Sequence, residues 1–400
     1  MQSLSKPFQE ALHVIETIEK SGHQAYFVGG CVRDLLLERE VGDIDITTSA
    51  KPYEIQAIFD EVIPVGIEHG TVIVRHNHVS YEVTTFRVEG KYSDNRHPDS
   101  VAFIDKIEED LARRDFTINA LAMDKTGKII DLFNGTSDLH DKIIRTVGNG
   151  KERLKEDPLR ILRAIRFSSQ LGFEIDSNTL EAIILVKPWI EELAVERITV
   201  ELQKLFGGKN VVPALNYMVD LGIEQHLPVF NKYHVLPKLI NKIKPLSSLS
   251  ELICLIHQLE PDAELKQIAK ELKCSNKTLK EALKLNEAIE YYQVNGVDNW
   301  LVYLLLPNFH DSFIRLALIL STSNIDYKDL KERIDFLVIT SKKDLEIDGN
   351  DIIEIFPTIR KGPWIQDIIS KIEKQVVQGK IENKKSILKD WIRWNPPEVE

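Results

Sequence analysis

Three cysteines in 400 residues, Cys31, Cys254 and Cys274, form no CxxC pair. Neither a disulfide framework nor a zinc site is therefore expected, and a reducing cytoplasmic setting fits. No apolar run reaches the ~18 residues needed to span a bilayer, so no membrane partner is expected. The opening stretch MQSLSKPFQEALHVIETIEK has scattered charge and no apolar core, so no export signal is read there. An excess of positive charge is lacking too: 51 Lys and Arg face 62 Asp and Glu, a net charge of −11. That excludes a nonspecific nucleic-acid binder coated in lysine, but RNA affinity depends on where the positive charge sits. From Arg145 to Gln170 seven basic residues face three acidic ones. No GxGxxG precedes a helix, and Gly148-Asn149-Gly150-Lys151 runs into Glu152 rather than Ser or Thr, so no P-loop is present. His310-Asp311 matches a phosphohydrolase metal doublet only as a dipeptide.

What is there is material for several cores. Hydrophobic residues make up 43% and charged residues 28%, and the length suits two to four domains. Apolar spacing predicts a helix over 8–20, a short strand at 25–28, a helix over 31–38 and a strand at 43–48. A helix over 51–60 precedes a hairpin, 71–76 and 79–87, turning near Asn77-His78. After about residue 150 the patterns turn almost wholly helical, with breaks at Gly207-Gly208, Leu306-Pro307 and Asp348-Gly349. The fold class expected is α+β: a mixed α/β head followed by an elongated helical remainder without β-sheet. Trp364, Trp391 and Trp394 read as core residues rather than base-stacking platforms.

The chemistry begins at Asp43-Ile44-Asp45. On a strand, residues i and i+2 share a face, and two carboxylates there repel unless a cation lies between them. Mg²⁺, hard and oxygen-liking, suits the site, and a pair of such ions can activate a 3′-hydroxyl and neutralise a leaving pyrophosphate. Alone, this pattern reads first as a solvated strand edge. Thirteen residues upstream of Asp43, Gly29-Gly30-Cys31-Val32-Arg33-Asp34 lies between a strand and a helix. Glycines there let backbone N–H groups approach a phosphate, and Arg33 can add a bidentate contact.

Gly29-Gly30-Cys31-Val32-Arg33-Asp34-Leu35-Leu36 followed by Asp43-Ile44-Asp45 resembles the signature of the DNA polymerase β-like nucleotidyltransferases. Within that superfamily it is similar to the class II tRNA nucleotidyltransferases and bacterial poly(A) polymerases. Arg113-Arg114-Asp115-Phe116-Thr117-Ile118-Asn119-Ala120 fits the family's second motif. Glu156-Asp157-Pro158-Leu159-Arg160 fits a third, with Arg163 and Arg166 following on the same helix. The specific similarity covers about residues 24–175. It implies a catalytic head over 1–148, a neck with a nucleotide-selecting helix over 149–210, a body over 211–315 and a tRNA-binding tail over 316–400. It also implies a third carboxylate on a neighbouring strand. Glu82 is the candidate, alternating with inward Tyr81 and Val83, although an exposed strand glutamate reads the same way. Arg114 is implied to face the nucleotide, with a surface arginine pair as the alternative. Asp115 and Asn119, four apart on an expected helix, share a face; Asp115 could equally be a helix N-cap.

Asp157 and Arg160, three apart on the helix expected from Glu156 onward, have a specific chemical logic. Cytosine and adenine each present an amino donor beside an unprotonated ring nitrogen. A carboxylate can accept from the first and a guanidinium can donate to the second. Guanine and uracil present the reverse and leave buried groups unpaired. The alternative is an intrahelical salt bridge of little consequence. Arg163 and Arg166 are placed to meet the triphosphate or primer backbone. Phe86 to Ser100 reads as a loop, which in this family is associated with the switch from C to A addition; a structural Ω-loop is the alternative. The resemblance implies untemplated addition of C, C and A from CTP and ATP to a tRNA 3′ end with Mg²⁺. An A-only adder, a poly(A) polymerase and a noncatalytic tRNA-binding protein remain as alternatives, and a homodimer stays open. The chain ends shortly after Trp394 without a basic extension of the poly(A) type, which favours tRNA.

Overall fold

The computed structural model describes residues 5–90, 100–320 and 327–397. The loop expected between Phe86 and Ser100 therefore falls largely, at residues 91–99, outside the described residues. The chain divides into two compact units, Met1–Ile240 and Asn241–Glu400. Among the described residues no helix is long and apolar enough to cross a membrane.

In the first unit, helix α1 (Lys6–Lys20) leads into strand β1 (Ala25–Val28), α2 (Gly30–Leu36), β2 (Asp45–Thr48) and α3 (Pro52–Ile58). Strands β3 (Val62–Gly66), β4 (Thr71–His76) and β5 (Val79–Thr85) follow, then a small ribbon of β6 (Arg87–Glu89) and β7 (Val101–Phe103). Next come α4 (Ile107–Ala112), β8 (Leu121–Met123), β9 (Ile129–Asp131), α5 (Gly135–Asp141) and β10 (Ile143–Ile144). One seven-stranded sheet runs β3-β4-β5-β2-β1-β8-β9. Only the β2–β5 pair in it is parallel. The β4–β5 turn falls at Asn77-His78 as expected, with φ of 49° and 64° at the two residues, the doubly positive form that fits the twist of a tight hairpin.

Alternation decides which face is covered. Ile46, Val72, Val74, Tyr81 and Val83 are buried on one face. Phe27 shares that face, its ring meeting Phe8 of α1 edge-on at 4.9 Å. On the other face Val28 and Ala122 pack with Ile107 and Leu111 of α4. That cover lies over the β1–β8 side. Glu82 and Ser80 of β5 and Arg75 of β4 stay exposed on the same face.

The rest of the first unit is helical: α6 (Gly150–Glu156), α7 (Leu159–Leu171), α8 (Ser177–Val186), α9 (Val195–Phe206), α10 (Val211–Asp220) and α11 (Leu236–Leu239). The expectation of no sheet beyond residue 150 needs one correction. Glu174–Ile175 forms β11, which pairs in parallel with β10. Two residues are too short to leave a period-2 signal. Helices α6 and α7 are also separate, where the sequence suggested one helix from Glu156. Proline crowds the residue before it out of the helical region, and Asp157 ahead of Pro158 has φ −145° and ψ 98°.

The second unit contains α12 (Leu249–Leu259), α13 (Leu265–Glu271), α14 (Asn276–Asn295), α15 (Asn299–Leu304), α16 (His310–Leu320), α17 (Tyr327–Ile334), α18 (Gly349–Ile355), α19 (Trp364–Val377) and α20 (Lys385–Trp394). Trp364 is buried in a core with Ile368, Ile372, Leu388 and Ile392, and Trp391 packs against it. Trp394 departs from the expectation: it is 85% exposed at the last turn of α20.

Helix α7 is seated by close approach to the end of α9. Ser169 Oγ donates to Leu205 O at 2.5 Å, and Asn210 N donates to Ser169 O at 2.8 Å. A Cβ at Gly208 would run into Ser169 Oγ and lie 2.6 Å from its carbonyl oxygen. Gly208→Ala is accordingly expected to lower stability by about 1–3 kcal/mol, the usual cost of overpacking. A urea unfolding midpoint unchanged from wild type would show that α7 and α9 can part without cost.

Candidate active site

The parallel pairing of β2 and β5 sets Asp45 directly beside Glu82. Both lie opposite to the face that buries Ile46 and Val83. Asp43 sits in a bend two residues before the strand. Burial, then the neighbouring Glu82 charge, pushes the Asp45 carboxyl up to about 6; Arg114 opposes this and Asp43 adds to it. Among the described residues no three His, Cys, Asp or Glu side chains are already gathered as a metal cage. Glu82 and Asp43 instead stand within electrostatic reach of Asp45 and raise its cost of ionising. A divalent cation relieves that cost, and an all-oxygen donor set suits Mg²⁺.

Beside them, β1 ends at Gly29 with φ 76°, a conformation that side-chain-bearing residues rarely adopt. Gly29 N donates to Leu121 O at 3.0 Å, and a Cβ on Gly29 would stand 3.0 Å from Arg114 Nη1. Glycine thus lets the guanidinium lie against the turn. Gly30 opens α2, which is only seven residues long. Asp110, fully buried, anchors Arg114 at 3.5 Å and takes Arg113 at 2.9 and 3.0 Å and Thr47 Oγ1 at 3.4 Å. Desolvation lowers the Arg114 pKa, with Asp110 opposing, yet a guanidinium remains a cation at neutral pH. Arg114 Nε is buried without a hydrogen-bond partner, a donor suited to an anionic oxygen. Within the same turn the Cys31 thiol points at Val28 O (3.4 Å), and burial pushes it up to about 11.

Asp115 is the junction of the site. It is not a helix cap: Asp115 Oδ1 accepts from Phe116 N at 2.8 Å and Asn119 Nδ2 at 3.1 Å, and Thr117–Asn119 is a single 3₁₀ turn. Arg163 closes on Asp115 Oδ2 at 2.6 and 2.7 Å. Burial works to raise the Asp115 pKa, but the Arg163 charge and these hydrogen bonds outweigh it, holding the carboxyl well below the usual range. Asn119 Oδ1 then accepts from Arg33 Nη1 at 2.7 Å, while the Arg33 fork grips Asp34 at 2.9 and 3.0 Å. On the other side Glu201 of α9 pairs with Arg166 at 2.6 Å and with Arg163 at 4.0 Å. Arg33, Arg163 and Arg166 lie 5.2, 5.5 and 4.0 Å from the Phe167 ring centre, gathered round one aromatic face system.

Asp157 and Arg160 do not pair with each other. Asp157 Oδ1 accepts from Leu159 N at 3.1 Å, and Oδ2 from Arg197 Nη2 of α9 at 2.7 Å. Arg160 donates to Glu156 Oε2 at 2.5 Å, to Arg153 O at 2.7 Å and to Arg113 O at 3.3 Å. The intrahelical salt bridge between the two is therefore absent, and each has its own anchor. Sequence reading missed Arg197 and Glu201, which lie about 40 residues away. Their one local signal is a spacing of four, which puts them on one face of α9. It also missed Asp110, legible as the residue four before Arg114, and Phe167.

Known proteins are similar to this chain in sequence and fold. The family described as Poly A polymerase head domain matches residues 25–145. Two further families match later segments, "Probable RNA and SrmB- binding site of polymerase A" over 172–233 and "tRNA nucleotidyltransferase domain 2 putative" over 247–392. The CCA-adding enzyme of Oceanobacillus iheyensis is 48% identical, with 99% of each chain covered. That of Anoxybacillus flavithermus is 40% identical, with 98% of each covered. Among solved structures, the Bacillus stearothermophilus CCA-adding enzyme in complex with CTP superposes with a TM-score of 0.88 at 36% identity, covering 98% of each chain.

The Asp115 junction has a measurable pH signature. Asp115→Asn is expected to cost about 3 kcal/mol at neutral pH, as for a broken buried pair. Because the folded-state pKa is depressed below the ordinary 3.8, the wild-type advantage is fully present above that pH and shrinks only as the pH falls below it. Urea unfolding of both proteins between pH 3 and 7 tests this; a gap that closed between pH 5 and 7 would contradict it.

Proposed function

The chain belongs to the family of CCA-adding enzymes, and from that membership we propose that it adds C, C and A from CTP and ATP to a tRNA 3′ end, releasing pyrophosphate. It is a nucleotidyltransferase, and divalent-metal dependence is general in its family. The observation that carries the proposal is the register of Asp45 against Glu82, with Asp43 alongside and the Gly29–Arg114 contact next to them.

Asp43 and Asp45, with Glu82 across the strand pair, would hold Mg²⁺, which when bound supplies the positive charge that activates an attacking hydroxyl and neutralises departing pyrophosphate. The bare backbone at Gly29 and Gly30 leaves room for a phosphate, and Arg114 donates from Nε to its oxygens. Arg33, Arg163 and Arg166 supply the wider positive field for a triphosphate. Their carboxylate partners hold them in place, so orienting them costs little during turnover.

Base choice falls to Asp157 and Arg160. A carboxylate can accept at about four lone-pair sites and a guanidinium has five donors. The anchors described above therefore leave Asp157 able to accept a C or A amino group and Arg160 able to donate to the adjacent ring nitrogen. Arg197 and Glu156 fix their directions. In this reading residues 149–210 form a neck that selects nucleotides, 211–315 a body and 316–400 a tail that grips tRNA, in the cytoplasm. The match to a poly(A) polymerase head favours one second reading, addition of A alone. Labelled CTP separates the two.

With tRNA lacking its CCA end, Mg²⁺ and labelled CTP and ATP, the wild-type protein is expected to restore CCA. Asp43→Ala and Asp45→Ala are each expected to abolish C and A addition alike while leaving the melting temperature unlowered. Near-normal turnover by either variant would remove these residues from the metal site. Asp157→Ala combined with Arg160→Ala is expected to relax discrimination against UTP and GTP by about 1–3 kcal/mol per lost contact. A double variant that is slower but keeps its preference for C and A in kcat/KM would leave base selection to other groups.

A further inference from the structure

The sheet face that carries the carboxylates does not stop at Glu82. Register continues it outward: Asp45 pairs with Glu82, Glu82 with Ile73, and Ile73 with Ile63 on the edge strand β3. All four side chains therefore lie in one row on one face. Strand spacing puts Ile73 roughly 5 Å and Ile63 roughly 10 Å from the Glu82 position. Ile63 is 41% exposed and Ile73 half-buried, and the edge strand stays apolar and exposed through Val65. The β1–β8 half of this face is covered by α4, whereas among the described residues this half keeps Ile63 and Glu82 exposed. At 41% exposure Ile63 gains little from the head's own packing.

Topology says what could lie on them. In the sheet order β1 is on one side of β2 and β5 on the other. Gly29 and Arg114, at the end of β1, hold the phosphate side of the reaction. Displacement at phosphorus proceeds in line, so the attacking hydroxyl enters from the side opposite the leaving pyrophosphate. The β5-β4-β3 flank is that side. We propose that Ile73 and Ile63 form an aliphatic platform for the base and ribose of the tRNA's 3′-terminal nucleotide, seating its hydroxyl beside Glu82. The proposal rests on the tRNA-extending reading above.

The chemistry of the patch fits a sugar and base better than a phosphate or a second copy of the chain. Arg75, two residues from Ile73 on the same face, donates its backbone N–H to Glu61 O at 2.9 Å, which sets residues of opposite charge across from one another. Pro64 removes a donor from the edge, and the ladder is irregular between Pro64 and Gly66. Both features blunt β3 against pairing with another strand. A few exposed aliphatic residues also fall far short of the ~1,200 Å² that a stable protein interface buries.

The test uses the full chain carrying Ile63→Ser and Ile73→Ser together. Losing several buried methylene contacts predicts a rise of about tenfold in KM for tRNA lacking its 3′ CCA. The dissociation constant for CTP without tRNA is expected to stay at the wild-type value, since the nucleotide lies on the other flank. Ile63→Leu with Ile73→Leu is expected to restore the wild-type KM, which separates an apolar contact from a folding defect. An unchanged KM for tRNA in the serine variant would overturn the platform. So would a loss of CTP binding equal to the loss of tRNA binding. A shift of the serine variant from dimer to monomer in sedimentation, with tRNA KM unchanged, would reassign the face to contact between copies. A wild-type protein that binds CTP yet extends no tRNA would overturn the proposed function instead.

Discussion

A buried carboxylate that never needs a proton holds the active-site frame together. Asp115 accepts from the backbone of its own turn, from Asn119 and from Arg163 of α7. Through Asn119 it reaches Arg33 beside the glycine turn, and through Arg163 it reaches Glu201 of α9. The glycine turn at the end of β1 and helices α7 and α9 are thereby joined by charge-assisted bonds rather than by apolar packing alone. Such bonds are directional, and each donor left over after anchoring has a fixed orientation. An enzyme that reads bases without a template needs that rigidity, because its side chains must stand where a complementary strand would.

Much of the head was legible because its signals are local. Asn77-His78 marked the hairpin, the alternation Tyr81-Glu82-Val83 placed Glu82 outward, and Asp43-Ile44-Asp45 beside Gly29-Gly30 pointed to the phosphate chemistry. What failed was non-local or overridden by one residue. Asp157 and Arg160 looked like neighbours on one helix, but Pro158 breaks it, leaving Asp157 at the end of α6 and Arg160 in the first turn of α7. The carboxylate then turns towards Arg197 and the guanidinium back towards Glu156. No spacing in the Glu156–Arg166 segment announces a partner on α9. Trp394 was misjudged for a related reason: composition favours burial of tryptophan, but only packing decides which of three is left outside.

The β2–β5 pairing shows how little structure the proposed metal site would require. One parallel register brings Glu82, nearly 40 residues from Asp45, into line with it. A shift of one residue would turn Glu82 into the core and bring a valine or tyrosine to the site. The apolar residues on the covered face thus guard the catalytic register indirectly, since slippage would expose all of them at once.

Cys31 carries a separate consequence. It lies in the glycine turn itself, where a reactive thiol would be a liability. With its ionisation pushed up to about 11 by burial, the thiol stays protonated at neutral pH. Peroxides and electrophiles attack the thiolate form, and the sulfur is nearly inaccessible as well. The glycine turn is therefore passivated: the sulfur beside it packs like a small hydrocarbon and resists alkylation and oxidation.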